Sequence, residues 1–362
     1  MNNLSQCLKD KAKVLGLAPV GITSAAPLAK ARTVLEQINT SGCRIPFTTG
    51  DIERRTNPNL VWPEAESLVM VGLPFKVPAS GPKVSGELRG YWAAGTCGND
   101  YHDALLEKLR ALGHFLQETV PGTRVAVFVD TGPLLERALA YRAGLGVWGE
   151  NSFIIRPQTG PAFFLGGLAT NAPLAPDQPL STSCLKCGRC RDACPTAALS
   201  VPYRLDYRRC LSYWTQAKEL MPAELRPLLG NRLYGCDTCV RACPLIEKSP
   251  QEGVTVDLIR FLAFTEEEFQ KEYGTSSAAW RGRTVLQRNA VLALGNSGRR
   301  QVVPILIQCL KDRRTSVRAA AAWGLGRHGG QRAYVALREQ LKQEPEASVR
   351  TEIEFALQRI ST

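Results

Sequence analysis

Histidine is scarce in this chain, with 3 among 362 residues, so a histidine metal cluster is excluded. Long apolar runs are missing too. The longest candidates, residues 67–75 and 124–129, are strand-sized, well short of the ~18 residues a membrane helix needs. The opening stretch MNNLSQCLKDKAKVLGLAP places lysines among its apolar residues and has no continuous hydrophobic segment, which argues against a secretory signal. With 44% hydrophobic and 22% charged residues, collagen-like, disordered and low-complexity classes are excluded. The expectation is a soluble, cytoplasmic protein of two or three domains, without a membrane partner and monomeric.

Acidic residues are in deficit. Lys plus Arg number 45 against 33 for Asp plus Glu, giving +12, and residues 281–362 alone hold 15 basic and 6 acidic residues, or +9. A basic surface attracts polyanions, above all nucleic acid, because phosphate contacts release counterions. The plainer alternative is an arginine-rich, solvated helical surface.

Cysteine is what the chain has in quantity. Of 12 cysteines, eight fall between Cys184 and Cys243, while Cys7, Cys43, Cys97 and Cys309 are scattered. In a reducing cytosol clustered cysteines bind metal rather than pair as disulfides, and the scattered four read as small buried hydrophobes. Cys184, Cys187, Cys190 and Cys194-Pro195 form C-x2-C-x2-C-x3-C-P, the bacterial ferredoxin spacing, in which the fourth cysteine ligates the other cluster. A second run, Cys236, Cys239 and Cys243-Pro244, lacks one cysteine, and Cys210, 26 residues upstream of Cys236, supplies it. The crossover rule then gives one 4Fe–4S cluster Cys184, Cys187, Cys190 and Cys243, and the other Cys194, Cys210, Cys236 and Cys239. Structural zinc also uses C-x-x-C pairs, but it has no use for a third cysteine at that spacing or for two Cys-Pro endings. Two nearby cubes move single electrons, so a partner site must need them.

The rest of the chain organises around that module. Residues 4–15, 28–38 and 101–118 read as helices, the last with Ala104, Leu105, Leu109, Leu112, Phe115 and Leu116 on one face. Residues 20–23, 68–73, 124–130, 152–155 and 162–168 read as strands, and Pro133 as a first-turn proline of a helix running to about Ala143. The alternation predicts an α/β domain over 1–178. Residues 171–183, with three prolines, read as a linker. The ferredoxin-like module occupies 179–250. Over 251–362 Ser316-Val-Arg318 recurs as Ser348-Val-Arg350 and Arg288–Gly295 echoes 318–326, the period of stacked helix pairs of HEAT-like type.

Gly144-Leu-Gly146-Val-Trp-Gly149 matches G-x-G-x-x-G but follows a helix and precedes a strand, the wrong context for a nucleotide fingerprint. Asp130 ends a strand and precedes Thr131-Gly132-Pro133. A carboxylate there among apolar neighbours, with a raised pKa, would serve as a proton donor. The alternative is a turn or helix-cap aspartate. Asp100-Tyr101-His102 reads first as the polar start of a helix.

Taken together, the chain resembles the epoxyqueuosine reductase family over nearly its whole length. The resemblance rests on Asp51-Ile-Glu-Arg-Arg55, Asp100-Tyr-His102, Val129-Asp-Thr-Gly-Pro133 with Glu136-Arg137, and Tyr141-Arg-Ala-Gly-Leu-Gly146 with Glu150-Asn151. Both cysteine runs, Gly230-Asn-Arg-Leu-Tyr-Gly-Cys236, and Trp280-Arg-Gly with Gln287-Arg-Asn289 complete it. It implies a cobalamin-dependent reductase that removes the epoxide oxygen of epoxyqueuosine at the wobble position of tRNAs with GUN anticodons. Two clusters would feed the corrinoid, and an electron donor remains unidentified. It implies Asp130 as proton donor, and Arg55, Ala93, Asp130, Ile154, Leu165, Ser212, Cys236 and Asp237 around the corrinoid. It implies Lys218, Trp280, Arg281, Arg283 and Arg288 on the tRNA. The corrinoid rests on resemblance alone. The base-off signature D-x-H-x-x-G is approached only by Asp100-Tyr-His102-Asp-Ala-Leu105, which lacks the glycine. Some relatives carry a cysteine where Ala93 aligns, and this chain has Cys97 four residues later. Two other readings stay open: a corrinoid iron–sulfur reductive dehalogenase, and a non-catalytic iron–sulfur electron carrier or RNA-binding module.

Overall fold

The structure, a computed structural model, describes residues 2–40, 42, 45–48, 50–83, 85–96 and 98–361. Cys43 and Cys97 lie outside the described residues. The first half runs α1 (Asn2–Val14), β1 (Val20–Ser24), α2 (Ala29–Thr40), β2 (Ser67–Pro74), β3 (Arg89–Trp92), α3 (Tyr101–Thr119), β4 (Val125–Phe128), α4 (Glu136–Arg142) and β5 (Phe163–Thr170). Four of these strands form one sheet in the order β1-β2-β5-β4. Residues 67–72 are buried one after another, because both faces of the sheet are covered. Val69, Val71 and Leu168 meet Leu105, Leu109 and Leu112 of α3 and Leu8 of α1. Leu68, Met70 and Ala169 point the other way, toward Leu139 and Ala140 of α4.

Helices and strands alternate as expected, yet every pairing in this sheet is antiparallel. The preference for ligands at carboxyl ends of strands belongs to open parallel sheets and does not account for Asp130. Pro133 stands ahead of α4 rather than in its first turn, since the helix begins at Glu136. The proline-rich 171–183 stretch is irregular but tied down: Asp177 accepts from the Ile22 amide at 2.8 Å and pairs with Lys9 at 2.5 Å. At Gly144–Gly149 helix α4 leads into the hairpin Val147–Trp148/Ile154–Ile155, so no helix N-terminus faces a phosphate there.

Three distant parts of the chain share a second sheet. β3 sits between β6 (Arg232–Tyr234), which runs parallel to it, and β7 (Thr255–Asp257), which runs antiparallel. Helices α5 (Gly282–Asn296), α6 (Val303–Cys309), α7 (Thr315–His328), α8 (Gln331–Gln343) and α9 (Ala347–Ser361) follow. α5, α7 and α9 stack closely through small residues: a Cβ on Gly326 would stand 2.8 Å from the Cα of Ala356. Repeat arginines fasten the turns. Arg318 donates to the carbonyls of Asp312 and Arg313 (2.9 and 3.1 Å), and Arg350 to those of Glu344 and Pro345 (2.8 and 2.7 Å). One core joins Trp92, Leu229 and Leu233 to Leu286, Leu325 and Ile353. Of the scattered cysteines, Cys7 is exposed and Cys309 half-buried, so neither is the fully buried hydrophobe expected; Cys7 lies on the solvent side of α1. Among the described residues no helix is long and apolar enough to cross a membrane.

Candidate active site

Asp130 follows β4 in a tight turn with φ of +40°, a conformation rare for residues with a side chain. Its Oδ2 accepts a hydrogen bond from the Tyr101 hydroxyl at 3.0 Å and lies 3.5 Å from His102 Nε2. His102 Nδ1 is in turn 2.6 Å from Asp100 Oδ1, the same atom that accepts the His102 amide and caps α3. Tyr101 is held flat against Phe164, with centroids 3.8 Å apart. From the other side the Asp130 amide donates to Glu136 Oε1 at 2.5 Å.

These contacts divide the protons unevenly. The His102 hydrogen bond, aided by Tyr101, holds the Asp130 carboxyl below its usual range against the effect of burial. For His102, burial works downward but hydrogen bonds to Asp130 and Asp100 outweigh it, and the imidazole is raised. Glu136 is pushed up to about 8, by burial first and the Asp130 charge second. Burial and the same charge raise the Tyr101 hydroxyl, which stays protonated. A raised carboxyl was expected at Asp130; the structure puts it at Glu136, because Asp130 faces two donors whereas Glu136 is buried and faces a charge. The network titrates as a coupled set.

The eight clustered thiols fall into two neighbourhoods. Burial raises Cys243, and the charges of Cys184 and Cys187 raise it further; Cys190, at about 11, also feels Cys184. Cys210, likewise about 11, is raised by burial, then by Cys236 and Cys194. Buried Cys239 feels Cys236, Cys210 and Cys194, and then Cys190 from the other group. The two groups are therefore adjacent. The raised thiols Cys190, Cys210, Cys239 and Cys243 hold their protons until a metal displaces them.

A cavity of about 300 Å³ brings the two halves together. Tyr101, Asp130, Glu136 and Arg137 line it together with Cys194, Cys210, Cys236 and Cys239; Phe153, Ile154, Phe163, Leu165, Leu205 and Leu211 supply apolar walls. Asn151 also lines it, and its Nδ2 is buried without a hydrogen-bond partner. Apolar walls and an unmet amide donor suit a flat macrocycle with carbonyl groups at its rim. Of the residues expected around a corrinoid, Asp130, Ile154, Leu165, Ser212 and Cys236 line this cavity. Three do not. The Arg55 carbonyl accepts the Leu135 amide, just ahead of α4. Ala93 packs against Gly235, and Asp237 is buried, accepting from the Tyr91 hydroxyl and the Ala94 amide.

Comparison with known proteins bears directly on this arrangement. Residues 183–245 match the family described as "4Fe-4S double cluster binding domain", 281–358 match "HEAT repeats", and 55–131 match "Epoxyqueuosine reductase QueG, DUF1730". An epoxyqueuosine reductase of Bacillus cereus is 36% identical over 371 residues, covering 99% of this chain and 98% of its own. That of Staphylococcus aureus is 37% identical over 342 residues, covering 91% and 90%. The chain belongs to the epoxyqueuosine reductase family. It is an oxidoreductase of tRNA modification. A solved epoxyqueuosine reductase with a tRNA-Tyr epoxyqueuosine-modified stem loop superposes with a TM-score of 0.93 at 35% identity, covering 99% of both chains. One from Bacillus subtilis, with its catalytic aspartate loop swung out of the active site, gives 0.92 at 34% and the same coverage.

In this family member the residues expected on tRNA split into two kinds. Trp280 is 56% exposed and its indole donates to the Tyr234 hydroxyl at 2.9 Å. The Arg281 guanidinium lies 3.5 Å from the Trp280 ring and 4.2 Å from that of Phe47, which stacks on Tyr213 at 5.0 Å. Lys218 is exposed. Arg283 is partly engaged, with Glu266 at 3.1 Å and the Phe264 carbonyl at 2.7 Å. Arg288 is a correction. It is fully buried, and its guanidinium donates to the carbonyls of Ala217, Glu219 and Trp214 and to Asn289 Oδ1, leaving it no access to a phosphate. Sequence reasoning missed Glu136 as an ionisable member of the site and missed Phe47 and Tyr213 in the stack. Glu136 carried a signal, six residues from Asp130 in the same quoted motif; Phe47 carried none.

Proposed function

We propose that this chain reduces the epoxide of epoxyqueuosine to queuosine at the wobble position of tRNAs with GUN anticodons. The single observation that carries the reading is the cavity shared by Asp130 and four clustered thiols. The reaction takes two electrons and two protons, and the epoxide oxygen leaves as water. One 4Fe–4S cluster is held by Cys184, Cys187, Cys190 and Cys243, the other by Cys194, Cys210, Cys236 and Cys239, a division that the grouping of thiol neighbours supports. A cobalamin in the cavity, bordered by Asp130, Ile154, Leu165, Ser212 and Cys236, would supply the cobalt through which cluster electrons reach the epoxide. Arg55, Ala93 and Asp237 stand outside that border.

Asp130 hands on the proton in a network with Tyr101 and His102: its own carboxyl is held low, so the proton it passes to the departing oxygen is drawn from the raised imidazole of His102. The aspartate-bearing catalytic loop of the Bacillus subtilis relative supports that role. The stem-loop complex of a relative supports tRNA as substrate. Trp280, with Arg281 on its face, offers a stacking platform for an unpaired base, and Lys218 and Arg283 offer cations for the backbone.

The test is an oxygen-free incubation with epoxyqueuosine-containing tRNA, cobalamin and a strong reductant, followed by digestion and mass spectrometry of the nucleosides. A cobalamin-dependent product lighter by one oxygen is the expected result. An unchanged nucleoside, with iron and cobalt both verified in the protein, would overturn the reading. Asp130→Asn should keep both clusters and tRNA affinity while turnover falls about 10²–10⁴-fold, the usual share of a proton donor. Single-turnover rates check this, and near-normal values would remove Asp130 from the mechanism.

A further inference from the structure

We propose that Glu136 is the positioning residue for Asp130, accepting the Asp130 amide and so fixing the left-handed turn that aims its carboxyl group into the cavity. The inference rests on the reading of Asp130 as proton donor.

The geometry is specific. Glu136 is the first residue of α4, and its side chain reaches back out of the helix to take the Asp130 N–H at 2.5 Å. The residue it holds is the one with φ of +40°. Such a conformation persists only where its surroundings over-determine it. The Thr131 amide and hydroxyl both turn back to the Val129 carbonyl, closing the turn on itself, while the bond to Glu136 ties it to the packed layer of α4. Asp130 is thus gripped at both ends, its amide by Glu136 and its carboxylate by Tyr101 and His102.

The electrostatics are compatible with that grip. Asp130, Arg137, His102 and Tyr101 are the ionisable groups facing the Glu136 carboxyl. A side chain raised to about 8 is largely protonated near neutrality, so it accepts the amide without setting a second full negative charge beside Asp130. Arg137 is itself directed elsewhere, donating to the Ser152 carbonyl at 2.8 Å. Reach, rather than charge, is therefore what the loop requires of residue 136.

Two substitutions separate reach from charge in the cluster-loaded enzyme. Glu136→Gln keeps the acceptor at full length and cannot ionise. Glu136→Asp keeps the ionisable carboxyl but is one methylene too short. Glu136→Asp should lower kcat about 10–100-fold with the KM for tRNA within about twofold, the split expected when a catalytic group is misplaced, and Glu136→Gln should stay several-fold above Glu136→Asp in kcat. Hydrogen exchange over residues 129–135 gives a readout without turnover: faster in Glu136→Asp, unchanged in Glu136→Gln. Wild-type kcat and exchange in Glu136→Asp would overturn the proposal, as would Glu136→Gln failing as badly as Glu136→Asp. Exchange rising throughout the chain in Glu136→Asp would also overturn it, because the residue would then support the fold at large. Asp130→Asn, run alongside, distinguishes failure of the underlying reading. If Asp130→Asn turns over normally, that reading falls; if it is inactive while Glu136→Asp is normal, only the positioning role falls.

Discussion

Glu136, at the cavity wall, and Arg288, fully buried, are both shifted by the loss of surrounding water, with opposite consequences. Glu136 keeps a proton up to about pH 8, where a free glutamate would lose it near 4.5. Across that window the folded chain binds more protons at this site than the unfolded chain, so its contribution to stability declines as pH rises. Glu136→Gln has no such proton, and its stability relative to wild type should improve from about pH 5 to about pH 8 in chemical denaturation; a constant difference would contradict the raised carboxyl. Arg288, lowered by burial only to about 10, stays charged at neutral pH. Arg288→Met would leave three carbonyls without donors, each costing about 1–3 kcal/mol. A fall in the unfolding midpoint is expected, with the salt slope of tRNA binding unchanged. Arg281→Gln, by contrast, should weaken tRNA binding and flatten that slope, with the midpoint held; titrations at several salt concentrations decide between them. Counting charges along 281–362 could not separate these two arginines. Arg288, Arg318 and Arg350 occupy equivalent places in successive repeats, and that recurrence was the legible sign of a structural cation. The low carboxyl of Asp130 had no such sign, because its donors arrive from α3, 28 and 29 residues earlier.

At the scale of elements, the hydrophobic patterns located every helix and strand of the large sheet's layer but missed β3 and the short helix Ile52–Thr56, while strand direction stayed hidden. Alternation of helix and strand fits parallel and antiparallel sheets alike; here the connection from β2 to β5 passes through β3, α3, β4 and α4 before the strand returns antiparallel. The cysteine spacing was more informative, because a crossover between two cubes constrains which thiols meet. In the repeats, close stacking depends on residues without side-chain bulk. A Cβ on Gly295 would come within 2.9 Å of the Gly324 Cα, and one on Gly326 within 2.8 Å of the Ala356 Cα. Gly326→Val should therefore lower stability by about 1–3 kcal/mol, the usual range for overpacking. Denaturant melts of the variant check this, and an unchanged midpoint would mean that α7 and α9 separate freely.

For the whole molecule the decisive fact is that the cysteine module and the repeats share one core. Leu229 and Leu233, beside the second cysteine run, share a core with Leu286, Leu325 and Ile353 of the repeats. Asn289 of α5 donates to the Leu233 carbonyl at 2.8 Å, and the Arg226 guanidinium pairs with Glu352 through two bonds of 2.7 and 2.6 Å. A chain ending at residue 280 would expose that core and strip those bonds. It should fail to retain both clusters, as read by iron content and visible absorbance after reconstitution. Full retention would show that the repeats are not needed to hold the cysteine module.

The middle strand of the small sheet sets an order on synthesis. By the time residue 170 has left the ribosome, all four strands of the large sheet are present and that layer can close. β3, already made, still waits for residues 232–234 on one edge and 255–257 on the other. Pairings of such long separation form late. The cysteine runs at 184–194 and 236–243 emerge within that interval, so the small sheet beside them is finished only after the last clustered cysteine, Cys243, has been translated. A cluster that needs that sheet must wait for residue 257.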